Sequence, residues 1–278
     1  MITRRRSLAM IGAAPLMAKS ARAEIAKMNE RIDETLGRHF TEAGTTGTFV
    51  AYFPREYRIV ASDKERSAKA VLPASTFKIP NSLIALETGV VADPDKDVFK
   101  WDGVTREIPE WNKDHTLRTA ILASAVPVYQ EIARRIGPER MQKYVDAFDY
   151  GNHRIGGGID QFWLSGDLRI DPVQQIDFVN RLRLGTLPAS ARAQQLTRDI
   201  MPATKVGDGV IRAKTGIVGA KAAAASGNAE LPIGWLVGWA EKGEDATVFA
   251  MNLDIREQRH IGARMQLTQK ILAQLGAI

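Results

Sequence analysis

Strand-like segments cluster at the two ends of this chain and leave its middle almost free of them. Near the start, "TFVAYFPREYRIVAS" reads as two strands around a Pro54-Arg55-Glu56 turn. Near the end, "DGVIRAKTGIVG", "LPIGWLVGWAEKG" and "ATVFAMNLDI" are rich in β-branched and aromatic residues and read as three more. From Ser75 to about Gln195 the signals are mostly helical, with turns at Asp93-Pro94, Gly137-Pro138, Gly156-Gly157-Gly158 and Asp171-Pro172. A strand must pair with another strand, and the simplest architecture pairs the two ends of the chain. The expected fold class is α/β in an α+β layout, with an antiparallel sheet of about five strands drawn from both termini. The sheet lobe would take about 24–66 and 205–278, with a helical lobe, about 67–204, inserted between. Helices should flank the sheet: a first one from the spacing of Ile25, Met28, Ile32, Leu36 and Phe40, and a last one around "ARMQLTQKILAQL".

The first 23 residues stand apart. "MITRRRSLAMIGAAPLMAKSARA" has a basic start, an apolar run from Leu8 to Met17 and the small-x-small pattern Ala21-Arg22-Ala23. It reads as an export signal cleaved near Ala23, so the mature chain is expected to be periplasmic or secreted; its arginines leave the general secretory and twin-arginine routes open. The run is too short for a permanent span and no other stretch is longer, so no stable membrane anchor is expected. Arg4, Arg5, Arg6, Lys19 and Arg22 supply five of the formal +6, and +1 remains without them, too little to argue for nucleic acid. The absence of cysteine excludes disulfides and thiol chemistry. His39, His115, His153 and His260 lack ligand spacing, and no metal is expected.

In "LPASTFKIPNSLIALE", Leu72 to Glu87, a serine precedes a lysine by three residues, and on a helix that offset puts both side chains on one face. Two readings are open: Ser75 caps a helix, or it is a nucleophile with Lys78 as its base. A serine hydroxyl is a poor nucleophile near neutral pH, and Lys78 is the only base that the sequence fixes nearby. The amine would have to be neutral, which an apolar wall of Phe77, Val126, Trp163 and Leu164 would favour. Lys214-Thr215-Gly216 lies in a strand-like segment, where it reads either as site or as a surface strand with a glycine bulge.

Ser75-x-x-Lys78, Ser124-Ala125-Val126, Tyr150-Gly151-Asn152 and Lys214-Thr215-Gly216, in this order, resemble the class D, oxacillinase-type, serine β-lactamases of the penicillin-recognising superfamily. Phe99-Lys100-Trp101-Asp102-Gly103, Gly157 to Leu164 and Gly234 to Trp239 extend the resemblance over nearly all of the mature chain. Ser-Ala-Val stands where class A relatives carry Ser-Asp-Asn, and the apolar second position favours class D. The resemblance implies a small-molecule β-lactam substrate, penicillins above all, and an acyl-enzyme on Ser75. It also implies that carbon dioxide carboxylates Lys78, with Trp163 and Val126 stabilising the carbamate and no other cofactor. The backbone N–H groups of Ser75 and Ile217 would form the oxyanion hole, and Ser124 with Lys214 would protonate the leaving nitrogen. Thr215, Gly216 and Arg264 would hold the substrate, with Trp111, Ile108 and Leu164 around it. A homodimer is left open.

Ile217 stands where an aromatic residue is often found, and Ser165 where an acidic one is frequent, which leaves the substrate range open. Trp101, Trp111 and Trp239 read as core residues, and the Lys64 to Lys69 cluster as a solvated loop. A penicillin-sensing receptor domain, a D,D-peptidase and a paralogue without useful turnover share the same serine and lysine motifs. Many turnovers per molecule of purified protein would separate a hydrolase from all three.

Overall fold

A computed structural model describes residues 30–225 and 231–278. The export signal at 1–23, and Ile25 and Met28 of the expected first helix, lie outside the described residues. The strands are β1 (Glu30–Ile32), β2 (Gly47–Phe53), β3 (Arg58–Ala61), β4 (Ala203–Val206), β5 (Gly209–Val218), β6 (Ile233–Lys242) and β7 (Asp245–Asp254). They form one sheet in the order β1-β3-β2-β7-β6-β5-β4, so strands from the two ends meet where β2 pairs with β7. The helices are α1 (Arg38–Glu42), α2 (Lys64–Ser67), α3 (Lys78–Glu87), α4 (Leu117–Leu122), α5 (Val126–Ile136), α6 (Pro138–Ala147), α7 (Pro172–Leu184), α8 (Ala191–Ile200), α9 (Ala220–Ala225) and α10 (Arg259–Gln274).

The sheet is covered on both faces, which explains why β6 reads as an almost continuous apolar run. Along it, Trp235, Val237 and Trp239 face the layer that contains Phe178 and Val179 of α7, while Leu236 and Ala240 face Leu267 and Ile271 of α10. α7 is set by local chemistry at both ends. Asp171 and Gln174 form a capping box with Pro172 at the first turn, and Gly185 closes the helix in the left-handed conformation at φ 72°.

Four expectations are corrected. Among the described residues the sheet has seven strands rather than five, because β1 and β4 are short edge strands with too little alternation to read, and β1 pairs with β3 in parallel. Among the described residues the expected first helix does not run through Ile32 to Leu36. Ile32 lies in β1, and the Asp33 side chain caps a 3₁₀ turn at Glu34–Gly37 that leads into α1. Leu36 and Phe40 still bury one turn apart. Trp101 is not core: its ring is partly exposed and its Nε1 donates to Val104 O. The lysine-rich stretch forms α2, with Asp63 as its cap and Arg66 paired to Asp254.

β5 and β6 lie in closest contact at Gly238, where a Cβ would stand 1.9 Å from Arg212 O and 2.7 Å from Ala213 Cα. No side-chain motion relieves a clash with backbone. Gly238→Ala is expected to lower stability by more than about 3 kcal/mol in chemical denaturation; a loss below about 1 kcal/mol would show that the two strands can separate here without cost.

Candidate active site

Ser75 sits in a 3₁₀ turn, Ala74–Phe77, that leads directly into α3. The turn is not relaxed. Ala74 has φ 47°, a left-handed conformation that costs a residue with a Cβ. Tertiary contacts hold it: Ala74 N donates to Trp163 O at 3.0 Å, and Trp235 Nε1 donates to Leu72 O at 3.0 Å just upstream. Phe77 stacks on Trp163 and meets Phe162 and Tyr150 edge-on. The Ser75 side chain caps nothing. Neither the turn nor α3 has a side-chain cap, and Ser75 Oγ instead accepts from Lys78 Nζ at 2.7 Å. The helix-cap reading of Ser75 is thereby excluded.

Lys78 is fully buried. Loss of hydration, and then the charge of Lys214, drive its amine well below the ordinary lysine range, toward the neutral form. The Tyr129 ring lies 5.3 Å from Nζ, and its hydroxyl is 2.8 Å from Ser82 Oγ. Trp163 is also fully buried, yet its Nε1–H has no hydrogen-bond partner among the described residues. A buried indole N–H normally finds one. Val126, at the start of α5, and Leu164, after Trp163, are half-buried.

The second pair comes from the two lobes. Ser124 follows α4 in a left-handed conformation, φ 52°, and its Oγ accepts from Lys214 Nζ of β5 at 2.9 Å. Lys214 Nζ also donates to Thr215 O at 2.9 Å and approaches Thr215 Oγ1 at 3.2 Å. Burial, and then the charge of Arg264, lower its amine to about 7.

β5 presses on the Ser75 turn at Gly216, where a Cβ would stand 3.1 Å from Pro73 O and 3.3 Å from Ser75 N. Pairing with β4 stops at Arg212, and Ala213 N donates to Pro202 O on that edge. Strand alternation puts the N–H groups of Thr215 and Ile217 on the same edge. The Ile217 N–H thus points to the edge of β5 that β4 leaves unpaired, next to Gly216 where the strand meets the Ser75 turn, while the Ile217 side chain is exposed.

Arg264 of α10 is buried rather than on the surface. Its Nη1 donates to Gly216 O at 2.8 Å and Trp235 O at 3.2 Å, its Nε donates to Ile261 O, and burial lowers it to about 10. Nη2 has no partner among the described residues. Trp111 is half-buried and donates from Nε1 to Ala123 O at 3.0 Å, beside Ser124. Ile108 opens the short turn Pro109–Trp111 and is exposed. Sequence reasoning missed Thr76 and Gln175, whose side chains meet at 2.9 Å next to Ser75 in the chain. Nothing in their spacing, 99 residues apart, could have announced that bond.

A family model described as "Penicillin binding protein transpeptidase domain" matches residues 35–273. The chain is 46% identical to "Beta-lactamase OXA-48" of Klebsiella pneumoniae, over 85% of this chain and 86% of that one. It is 41% identical to "Beta-lactamase OXA-10" of Pseudomonas aeruginosa, over 87% of this chain and 88% of that one. A solved class D β-lactamase from Nostoc superposes with a TM-score of 0.81 at 40% identity, covering 87% of this chain and 99% of its own. The chain belongs to the class D serine β-lactamases. A second solved class D enzyme, from Fusobacterium nucleatum subsp. polymorphum, gives 0.82 at 35% identity, over 89% of this chain and all of its own. In this class D chain, Ser75 contacts Lys78, Ser124 contacts Lys214, Gly216 lies against the Ser75 turn and Arg264 binds Gly216 O, while Trp111 is tied to Ala123 O beside Ser124.

The buried Lys214 makes stability depend on pH. In the unfolded chain the amine stays protonated to about pH 10, whereas in the folded chain it releases its proton near 7. Between those values the unfolded state holds more protons, so stability rises with pH. The stability of the wild type relative to Lys214→Met is expected to increase by about 2 kcal/mol between pH 7 and pH 9 in urea denaturation. A flat or falling difference would mean that Lys214 keeps its charge in the folded state.

Proposed function

We propose that this enzyme hydrolyses β-lactams, with penicillins as preferred substrates, through an acyl-enzyme on Ser75 in which N-carboxylated Lys78 is the general base. The observation that carries the reading is the 2.7 Å contact between Ser75 Oγ and a lysine amine stripped of its water. Ser75 gives its proton to the Lys78 side chain as Oγ attacks the lactam carbonyl, and the negative charge on the carbonyl oxygen is met by the N–H groups of Ser75 and Ile217. Ser124 passes a proton to the departing nitrogen. Lys214, 2.9 Å from Ser124 Oγ and poised near neutrality, replaces that proton.

Two features fit a carboxylated Lys78. A neutral, dry amine is the form that adds carbon dioxide, and the unpaired Trp163 N–H is a buried donor of the kind that the resulting anion needs. Trp163 would hold the group by donation, and Val126 and Leu164 would keep bulk water from it. A carbamate supplies an anionic oxygen as base both for Ser75 and for the water that releases the acyl group. Arg264 Nη2 and Thr215 Oγ1 take the substrate carboxylate, Gly216 lines its bed, and Trp111 and Ile108 meet its side chain at the rim. The enzyme works in the periplasm or outside the cell, after cleavage near Ala23.

Mass spectrometry with benzylpenicillin should show an adduct on the wild type and none on Ser75→Ala; an adduct on the variant would remove Ser75 from its role. Carbon-13 NMR with labelled bicarbonate should give a carbamate signal that fades at mildly acidic pH together with activity. Trp163→Phe should lose activity and recover part of it with bicarbonate, whereas Lys78→Ala should not recover. Full wild-type turnover without a carbamate signal or a bicarbonate response would leave Lys78 a free amine.

Arg264→Ala should raise KM by roughly tenfold or more and lower kcat less, because the lost contact is shared by ground and transition states. Its Nη1 also ties β5 to β6, so stability should fall by about 1–3 kcal/mol. Unchanged KM with lowered stability would make Arg264 a structural tie alone.

A further inference from the structure

The turn that carries Ser75 is gripped from a side that takes no part in the chemistry. Thr76 is fully buried, and its hydroxyl donates to Pro73 O at 2.7 Å, which leaves its lone pairs to be satisfied from elsewhere. Gln175 of α7 satisfies them, with Nε2 donating to Thr76 Oγ1 at 2.9 Å. The Tyr150 hydroxyl makes a longer approach, 3.4 Å, to the other end of the same amide. Gln175 is itself 1% exposed. A buried amide is costly unless its bonds are made, so its position is tightly determined.

The backbone on both sides of this contact is anchored independently. The Asp171–Gln174 capping box fixes the start of α7, and Ile170 exchanges two backbone bonds with Val71, just upstream of the Ser75 turn. One end of the turn is tied through Ala74 N to Trp163 O, and the other through Thr76 to Gln175. Ser75 lies between the two ties. Ala74, at φ 47°, is in a conformation that a residue with a Cβ disfavours, so the turn around Ser75 depends on such ties to hold it.

We infer that Gln175 is a positioning residue for the nucleophile: its bond to Thr76 holds the Ala74–Phe77 turn in the form that keeps Ser75 Oγ within reach of Lys78 and Ser75 N–H beside Gly216. It touches neither substrate nor reacting atoms, and this role rests on the assignment of Ser75 above.

The test is the acylation rate constant of the mature protein with a chromogenic cephalosporin in rapid mixing, expressed per active site titrated by the burst, so that misfolded molecules do not count. Gln175→Met removes the donor at similar volume, and Thr76→Val removes the hydroxyl at constant shape. Each should slow acylation by about tenfold, and the double variant should be no slower than Thr76→Val, because the two share one interaction. Thr76→Ser, which keeps the hydroxyl, should stay within about twofold of wild type. In a Ser75→Ala background, Gln175→Met should leave the Kd for benzylpenicillin unchanged. A merely structural role would lower stability and the titrated fraction but not the rate per site.

Per-site rates within about twofold of wild type in Gln175→Met would overturn the inference. If that variant yields no folded protein, an unaltered rate in Thr76→Val does so, and a Kd weakened in parallel with the rate would assign Gln175 to the pocket instead. Peptide mapping of the wild-type adduct separates the two levels. An adduct away from Ser75 overturns the catalytic assignment, whereas a Ser75 adduct with unaltered variant rates overturns the role of Gln175 alone.

Discussion

Two amines are buried in one cleft of this fold, and neither has a carboxylate partner among the described residues. Lys78 and Lys214 have lost nearly all contact with solvent, and each bears a cation as neighbour: Lys214 for Lys78, Arg264 for Lys214. Three positive charges so placed, with only neutral dipoles to face them, would cost several kcal/mol each. The fold meets this by discharging amines, not by pairing them. That one constraint sets an amine pushed toward neutrality beside Ser75 and another beside Ser124.

The sheet supplies the geometry on which this depends. β5 is paired along its whole length with β6 but with β4 only as far as Arg212, which frees its second half to run against the Ser75 turn. Glycine at 216 lets the strand come close to the Ser75 turn, and Arg264 fastens the back of the same strand. Strand pairing, glycine placement and a buried arginine therefore act on the same few ångströms of backbone.

Much of this was legible in the sequence, for identifiable reasons. The long strands β2, β5, β6 and β7 carry enough β-branched and aromatic residues to declare themselves, and the pairs Ser75–Lys78 and Thr215–Gly216 are local. Edge strands β1 and β4 were too short to show a period, and Ile32 fell into a helical spacing that the Asp33 cap interrupts. Trp101 shows the limit of composition: its residue type suggests burial, yet it is partly exposed, with its Nε1 donating to Val104 O three residues on. Ser124–Lys214 and Thr76–Gln175 join residues 90 and 99 positions apart. The first pair was reachable through the family motifs; the second belongs to no motif and emerged only from the packing of α7 against the nucleophile's turn.

Ala74 and Ser124 share a backbone state that side chains with a Cβ disfavour, and they stand beside or at the two reactive hydroxyls. Glycine at either place would relieve the backbone, at the expense of a turn with more ways to sit. The hydroxyls of Ser75 and Ser124 are therefore held against the local preference of the chain, like a drawn spring whose latch is the surrounding core. Such a site is only as sharp as its latch is tight. The aromatic packing around Phe77 is part of that latch, so a change that loosens those rings acts on the Ser75 turn without touching either hydroxyl.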